Sequence, residues 1–330
     1  MIPENKLPAV KKALLTAFDT DKFDDIQQLT KGLSTALIFK ITVHEKPYLL
    51  RVITRTDAMA DPTYYFNCMN TADTSALGPH IHYLSTEDRI SITDFIQEQP
   101  FPIPEAREKM PLLLKRLHVL PAFPFRINYF DAMENFVSKF RSSGILSADA
   151  TKDIFEAHEL AMSVYPRNDK EHWVSCHNDM KPENVLFDGQ RPWLVDWEGA
   201  FLNDRYLDIV VVANFVTQNE SEEVDFLERY FGETIDAYKL ARFFIMRQLL
   251  QVYYFIFFML AGAEGKPVDT SAFDGLDFRE FHNRIWNGEI SLAGNDARLQ
   301  YAWVHMQECL RNAHTKRFDD SLNTLAAHKK

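Results

Sequence analysis

The sequence predicts an α+β fold in two parts, with a small antiparallel sheet over residues 1–97 and a larger, mostly helical portion over 98–330. Strict alternation of apolar residues between 37 and 52 predicts the sheet. Prolines at 100, 102 and 104 mark the break, because proline fixes φ and interrupts ladders. Beyond them apolar positions recur mainly at helical spacing. Hydrophobic residues make up 46% of the 330, and 26 Phe, 12 Tyr and 5 Trp supply apolar area for a substantial core.

Taken in order, residues 5–27 place Val10, Leu14, Leu15 and Phe18 at the spacing of an amphipathic helix. Leu37, Phe39, Ile41 and Val43 then alternate with Ile38, Lys40 and Thr42, as in a half-buried strand. A turn at 44–47 leads to a second alternating run through Tyr48, Leu50 and Val52, so the two form a hairpin. Residues 89–96 predict a further strand, and 97–104 a hinge. Helices follow at 105–118, 130–140 and 147–164, the last with Ser147 as its N-cap. Two short strands, 185–187 and 192–195, join through Asp188-Gly189. Helices resume over 243–263 and 299–314.

A formal charge of −11 argues against a nucleic-acid partner, which attracts clustered Lys and Arg. Cys68, Cys176 and Cys309 are scattered, with no CxxC pair, which points away from a disulfide framework and toward a reducing compartment. The first residues lack the apolar stretch of a signal peptide. The uncharged run from Leu249 to Ala263 is shorter than the roughly 20 residues of a spanning helix. It predicts a buried core helix and no membrane insertion. A cytoplasmic protein is the expectation.

The chemistry concentrates in residues 176–198, CHNDMKPENVLFDGQRPWLVDWE. Asp179 and Asn184 lie five residues apart, and Asp196 follows twelve residues later, after a hairpin that returns the chain to the same edge. Two carboxylates and an amide so arranged suit one or two magnesium ions, which favour hard oxygen ligands. Phosphoryl transfer calls for that equipment, plus a carboxylate to orient the attacking hydroxyl. Singly, each Asp or Asn here would be read as a turn former or helix cap.

HNDMKPEN followed by DWE resembles the catalytic loop and metal motif of the aminoglycoside phosphotransferase and choline kinase group, within the protein kinase-like superfamily. The resemblance implies a two-lobed kinase-like fold and an ATP- and Mg²⁺-dependent kinase of a small hydroxyl-bearing molecule. It implies Asp179 as catalytic base, Lys181 near the transferred phosphate, Asn184 and Asp196 as metal ligands, and Asp208 as a brace for the loop. Glu198 would add a metal ligand or contact a cationic substrate. His177 reads as a packed loop residue, and His118, in LLLKRLHVLP, as a helix-terminal packing residue. The sequence shares HNDMKPEN with protein kinases too, but it lacks their DFG, APE and GxGxxG motifs.

Residues 27–35, QQLTKGLST, stand where the family keeps a nucleotide loop, so Gly32, Ser34 and Thr35 are expected at the phosphates. Arg51 stands where kinases carry a phosphate-binding cation, and a guanidinium grips phosphate in a bidentate manner. The helix that follows departs from the pattern. Residues 57–78 contain no glutamate to pair with Arg51, which leaves Asp61 or Asp73 as substitutes, or no such pair.

For the acceptor, Tyr253, Tyr254, Phe257 and Phe258 crowd one segment. They read first as core, with Tyr254 and Phe258 as candidate pocket walls alongside Trp286 and Glu198. Aromatic faces attract quaternary ammonium, which favours choline or another amino alcohol. An aminoglycoside, amino-sugar or other sugar kinase is the alternative, and a nucleotide-binding pseudokinase acting through partners is another. The sequence leaves oligomeric state open.

Overall fold

The computed structural model describes residues 2–29, 36–57, 60–273 and 275–328. The chain divides into two compact units, one formed by Met1–Pro100 with Glu183–Ala200, the other by Phe101–Pro182 with Phe201–Lys330. A division at residue 97 leaves 183–200 with the helical part, whereas their contacts group them with the sheet. The cause is local hydrogen bonding: Leu194 N–H donates to the Leu77 carbonyl (2.8 Å) and Gln99 N–H to that of Phe187 (2.7 Å). Gly78 permits the approach, since a Cβ there would stand 3.3 Å from the Leu194 carbonyl oxygen.

The first unit opens with helix α1 (Leu7–Phe18), followed by β1 (Asp25–Leu29), β2 (Leu37–Val43) and β3 (Lys46–Val52). Helix α2 (Thr63–Thr74), β4 (Ile81–Ser85) and β5 (Ile90–Asp94) complete its N-terminal segment. The five strands pair antiparallel in the order β1-β2-β3-β5-β4. Phe39, Ile41, Leu50, Val52, Ile90 and Ile92 form the buried face, which packs against Val10, Ala13 and Leu14 of α1. Alternation thus reports the buried face of β2 correctly. The opening helix is shorter than expected, because Asp19 adopts left-handed geometry (φ 56°) and ends it. Residues 25–27, read as the end of that helix, belong to β1 instead, paired with β2 from Asp25↔Thr42 to Leu29↔Ile38. DIQQL has no alternation to announce an edge strand; the pairing makes it one. The β2–β3 hairpin turns at His44 and Glu45, both at positive φ, the geometry that matches strand twist.

The second unit starts with α3 (Ile103–Leu117), α4 (Tyr129–Arg141), α5 (Ala148–Val164) and β6 (Trp173–Cys176). Ser147 caps α5 by accepting from the Ala150 N–H (3.2 Å), as predicted. The chain then contributes the hairpin β7 (Val185–Phe187) and β8 (Pro192–Leu194) to the first unit. It returns with β9 (Phe201–Asp204), which pairs with β6, and continues through α6 (Arg205–Val216), α7 (Glu220–Phe231), α8 (Ala237–Ala263), α9 (Phe278–Trp286), α10 (Asn295–Ala313) and α11 (Lys316–Ala327).

Helix α8 is the axis of this unit. It is long and apolar enough to cross a membrane, but 72% of its most apolar window is buried within the protein. Val252, Phe255, Ile256 and Met259 pack with Val137 and Phe140 of α4 and Ala302, Met306 and Cys309 of α10. Its two buried arginines are compensated. Arg242 pairs with Asp169 (2.7 Å) and Asp204 (2.9 Å), and Arg247 pairs with Glu223. The three cysteines are buried and form no disulfide with one another.

Candidate active site

In the second unit, β6 leads into residues 177–182, the first half of the motif. Asp208, in the first turn of α6, is fully buried. Its two carboxylate oxygens accept the backbone N–H groups of His177 (2.8 Å) and Asn178 (2.7 Å). Asn178 sits at φ 63°, a left-handed conformation that Asn adopts more readily than most side-chain-bearing residues. Asn203 of β9 holds it there by donating to its Oδ1 (2.8 Å). His118 completes the brace, with Nε2 3.2 Å from Asp208 Oδ2 and Nδ1 2.7 Å from the Tyr230 hydroxyl. An Nε2–H tautomer serves both contacts, donating to the carboxylate and accepting from the phenol.

Donor atoms of His118, Cys176 and Asp208 lie within 4.8 Å of one another, a spacing that suits a metal. Their chemistry does not. Asp208 is occupied by two amide donors, and burial pushes the Cys176 thiol well up, so it stays protonated. The trio is a polar core that shapes the loop.

Beyond this brace the loop offers Asp179 and Lys181, half-exposed and paired at 3.0 Å. Two phenols of α8 feel the charge of the same carboxylate. Burial raises the pKa of Tyr253 and Tyr254, and the charge of Asp179 raises both further. Tyr254 also lies against Phe258 (5.6 Å between ring centroids), His305 (5.1 Å) and Tyr301 (6.0 Å), while Phe258 meets Tyr301 at 4.8 Å. Trp286 is used differently. Its indole N–H donates to the Phe101 carbonyl (2.6 Å), and its ring leans on Phe101 and Phe215.

In the first unit, the other half of the motif is built on the β7–β8 hairpin. Val185 pairs with Leu194, and the Asn184 carbonyl accepts from Val195 N–H (3.1 Å), so Asn184 and Asp196 emerge at the hairpin's open end. The closed end is tied by Asp188, which accepts from Gln190 N–H, Arg191 N–H and the Trp193 indole, each at 2.8 Å. The Asn184 side chain is buried. Asp196 adopts left-handed geometry (φ 63°, ψ 63°), and its Oδ1 is buried with no hydrogen-bond donor. A buried carboxylate oxygen without a hydrogen-bond donor fits a hard divalent cation.

Arg51 lies on β3, opposite Ile38 and Ser91. Its guanidinium bonds Glu198 through Nη2 and approaches Asp196 Oδ1 at 3.8 Å through Nη1. Tyr65 of α2 places its ring 5.6 Å from the guanidinium carbon. Burial pushes the Tyr65 phenol up to about 12, against the pull of the neighbouring arginine. The substitutes expected for a helix glutamate are engaged elsewhere. Asp61 accepts from Thr63 N–H (2.9 Å) and its hydroxyl (2.7 Å). Asp73 meets His80 and the Ile81 N–H, both at 3.2 Å. Gly32, Ser34 and Thr35 lie outside the described residues.

Residues 25–244 match the phosphotransferase enzyme family. The chain belongs to that family. Among curated relatives, protein LicA of Haemophilus influenzae is 30% identical over 151 residues, covering 43% of this chain and 53% of the relative. The chain thus spans about half the length of the curated relatives it matches. A choline/ethanolamine kinase family protein from Mesorhizobium loti superposes with a TM-score of 0.67 at 19% identity, covering 98% of this chain and 99% of that one. Choline kinase LicA from Streptococcus pneumoniae gives 0.57 at 15% identity, over 92% and 100%. At such identities these likenesses speak for the fold, and the fold is protein kinase-like.

Sequence reading missed His118 and Asn203 as parts of the brace. His118 reads in the sequence only as a helix-terminal packing residue and Asn203 is not singled out, and only the tertiary fold brings His118 to Asp208 and Asn203 to Asn178. It also missed Glu198 as the partner of Arg51, which lies 147 positions away.

Proposed function

We propose that this phosphotransferase is an ATP- and magnesium-dependent kinase of a small hydroxyl-bearing molecule, with choline or a related amino alcohol as the favoured acceptor and the cytoplasm as its location. The braced loop carries this reading. Two amide hydrogen bonds to buried Asp208 fix residues 177–178, so the adjoining Asp179 carboxylate is held on a rigid support while staying accessible.

In this scheme Asp179 accepts the proton of the acceptor hydroxyl as its oxygen attacks the γ-phosphorus and ADP departs. Lys181, 3.0 Å from Asp179, offsets the negative charge gathered there. Asn184 and Asp196 would hold magnesium, which when bound supplies charge neutralisation at the phosphate oxygens. Arg51 grips phosphate, with the backbone near Gly32, Ser34 and Thr35 assisting. Tyr254 and Phe258 favour a cationic acceptor, since π-faces attract ammonium groups by about 0.5–2 kcal/mol per contact. Tyr254 also lies within the field of Asp179, the base that such an acceptor must reach. Trp286 is assigned to packing, given its bond to Phe101.

The test is Asp179→Ala. Turnover is expected to fall by roughly 10²–10⁴-fold, the usual cost of losing a positioned base, with nucleotide affinity nearly unchanged. Wild-type turnover in the variant would remove Asp179 from the mechanism.

A further inference from the structure

Kinase chemistry needs the phosphate-binding cation held in place, and a long arginine side chain has many rotamers to lose. On β3, Arg51 is held by what surrounds it in the first unit. Helix α2 faces it with the ring of Tyr65 rather than a carboxylate. The acids beside and within α2, Asp61 and Asp73, are tied to the start of that helix and to the approach to β4. The carboxylate that bonds the guanidinium is Glu198, two residues beyond the metal-site aspartate.

Glu198 is not on a loose loop. It belongs to the turn Trp197–Gly199, which packs against α2. Trp197 is buried, and the Tyr64 hydroxyl of α2 donates to the Ala200 carbonyl at the end of the turn. Helix α2 therefore anchors the segment that carries the carboxylate, although it supplies no carboxylate itself.

We infer that Glu198 is a positioning residue that orients Arg51 toward the nucleotide phosphates, a carboxylate lent by the metal-site turn in place of one on the helix. This rests on the phosphotransferase reading. It assigns Glu198 a role through Arg51, in place of metal coordination or substrate contact.

The experiment is calorimetric binding of ATP to the full chain, in EDTA and again with Mg²⁺. It uses the wild type, Glu198→Ala, Glu198→Gln, Arg51→Ala and the Arg51→Ala/Glu198→Ala double variant, with thermal melts to confirm folding. In EDTA, Glu198→Ala should weaken ATP binding by roughly three- to tenfold, the scale of a half-exposed charge-assisted pair. Glu198→Gln, which keeps an acceptor oxygen, should lie between, and Glu198→Ala should add nothing in the Arg51→Ala background. A Glu198 effect seen only with Mg²⁺ would make it a metal ligand and overturn the inference. So would tighter or unchanged metal-free binding, or an equal loss with Arg51 already removed. If the wild type itself bound no ATP under either condition, the phosphotransferase reading would fail first, and this inference with it.

Discussion

The two halves of the motif are held by opposite means. Around Asp208 the carboxylate is fully buried, and each of its oxygens accepts a backbone amide, one from buried His177 and one from part-buried Asn178. Around Arg51 the groups are charged and partly open, with Asp196 38% and Glu198 49% exposed at the side chain. Buried amide bonds to a carboxylate are costly to break and so fix a backbone. Partly exposed ion pairs are weak and can exchange partners. On the proposed function this is a division of labour: a rigid support for the proposed base, and an adjustable charge cluster for the ligands it would take.

The sharpest way to break this comparison is to remove the buried brace. Asp208→Ala should cost on the order of 3 kcal/mol or more, because two backbone N–H groups and His118 lose a charged acceptor out of water. Urea unfolding measures it. A cost below about 1 kcal/mol would place the brace in the same class as surface pairs.

A second, intermediate effect comes from buried titratable groups elsewhere in the helical unit. Burial holds His282 down at about 3 and His158 at about 4, both from an ordinary value of 6.5. A depressed histidine means that the unfolded chain takes up protons first as pH falls below 6.5. Stability should therefore decline from about pH 6.5 toward 3 as these groups stay neutral in the fold. Glu223, held at about 2 by the arginines around it despite burial, keeps its contribution above 4.5 and loses it as pH falls toward 2. Melting temperatures taken in half-unit steps would check the order. A flat profile from pH 7 to 4 would contradict the histidine part.

The smallest expected effect belongs to the open cluster. Arg51→Ala should change folding stability by under about 1 kcal/mol, as for other partly exposed ion pairs, while weakening nucleotide binding. Equal losses for Arg51→Ala and Asp208→Ala in urea would dissolve the distinction between the two halves.

Much of this was legible in the sequence, for reasons that can be named. Alternation exposed β2 and β3, because a strand with one buried face must repeat every two residues. The Ser147 cap and the apolar core of α8 announced their elements. Asp208 was readable as a brace only through family resemblance. What stayed hidden depends on distant partners. The strand at 25–29 exists because β2 offers it an edge, and 183–200 joins the first unit through hydrogen bonds with Leu77 and Gln99. The partners of His118 and Glu198 carry no local signal, since each lies far along the chain.

The central claim is a phosphoryl transfer to a small alcohol that depends on Asp179. The most direct test is ADP release from Mg-ATP across choline, ethanolamine, amino sugars, aminoglycosides, homoserine and simple sugars, run with the wild type and Asp179→Ala. The account predicts release stimulated by a cationic amino alcohol and lost in the variant. Release stimulated by such a compound equally in both proteins, or ATP binding with no turnover on any of them, would contradict it.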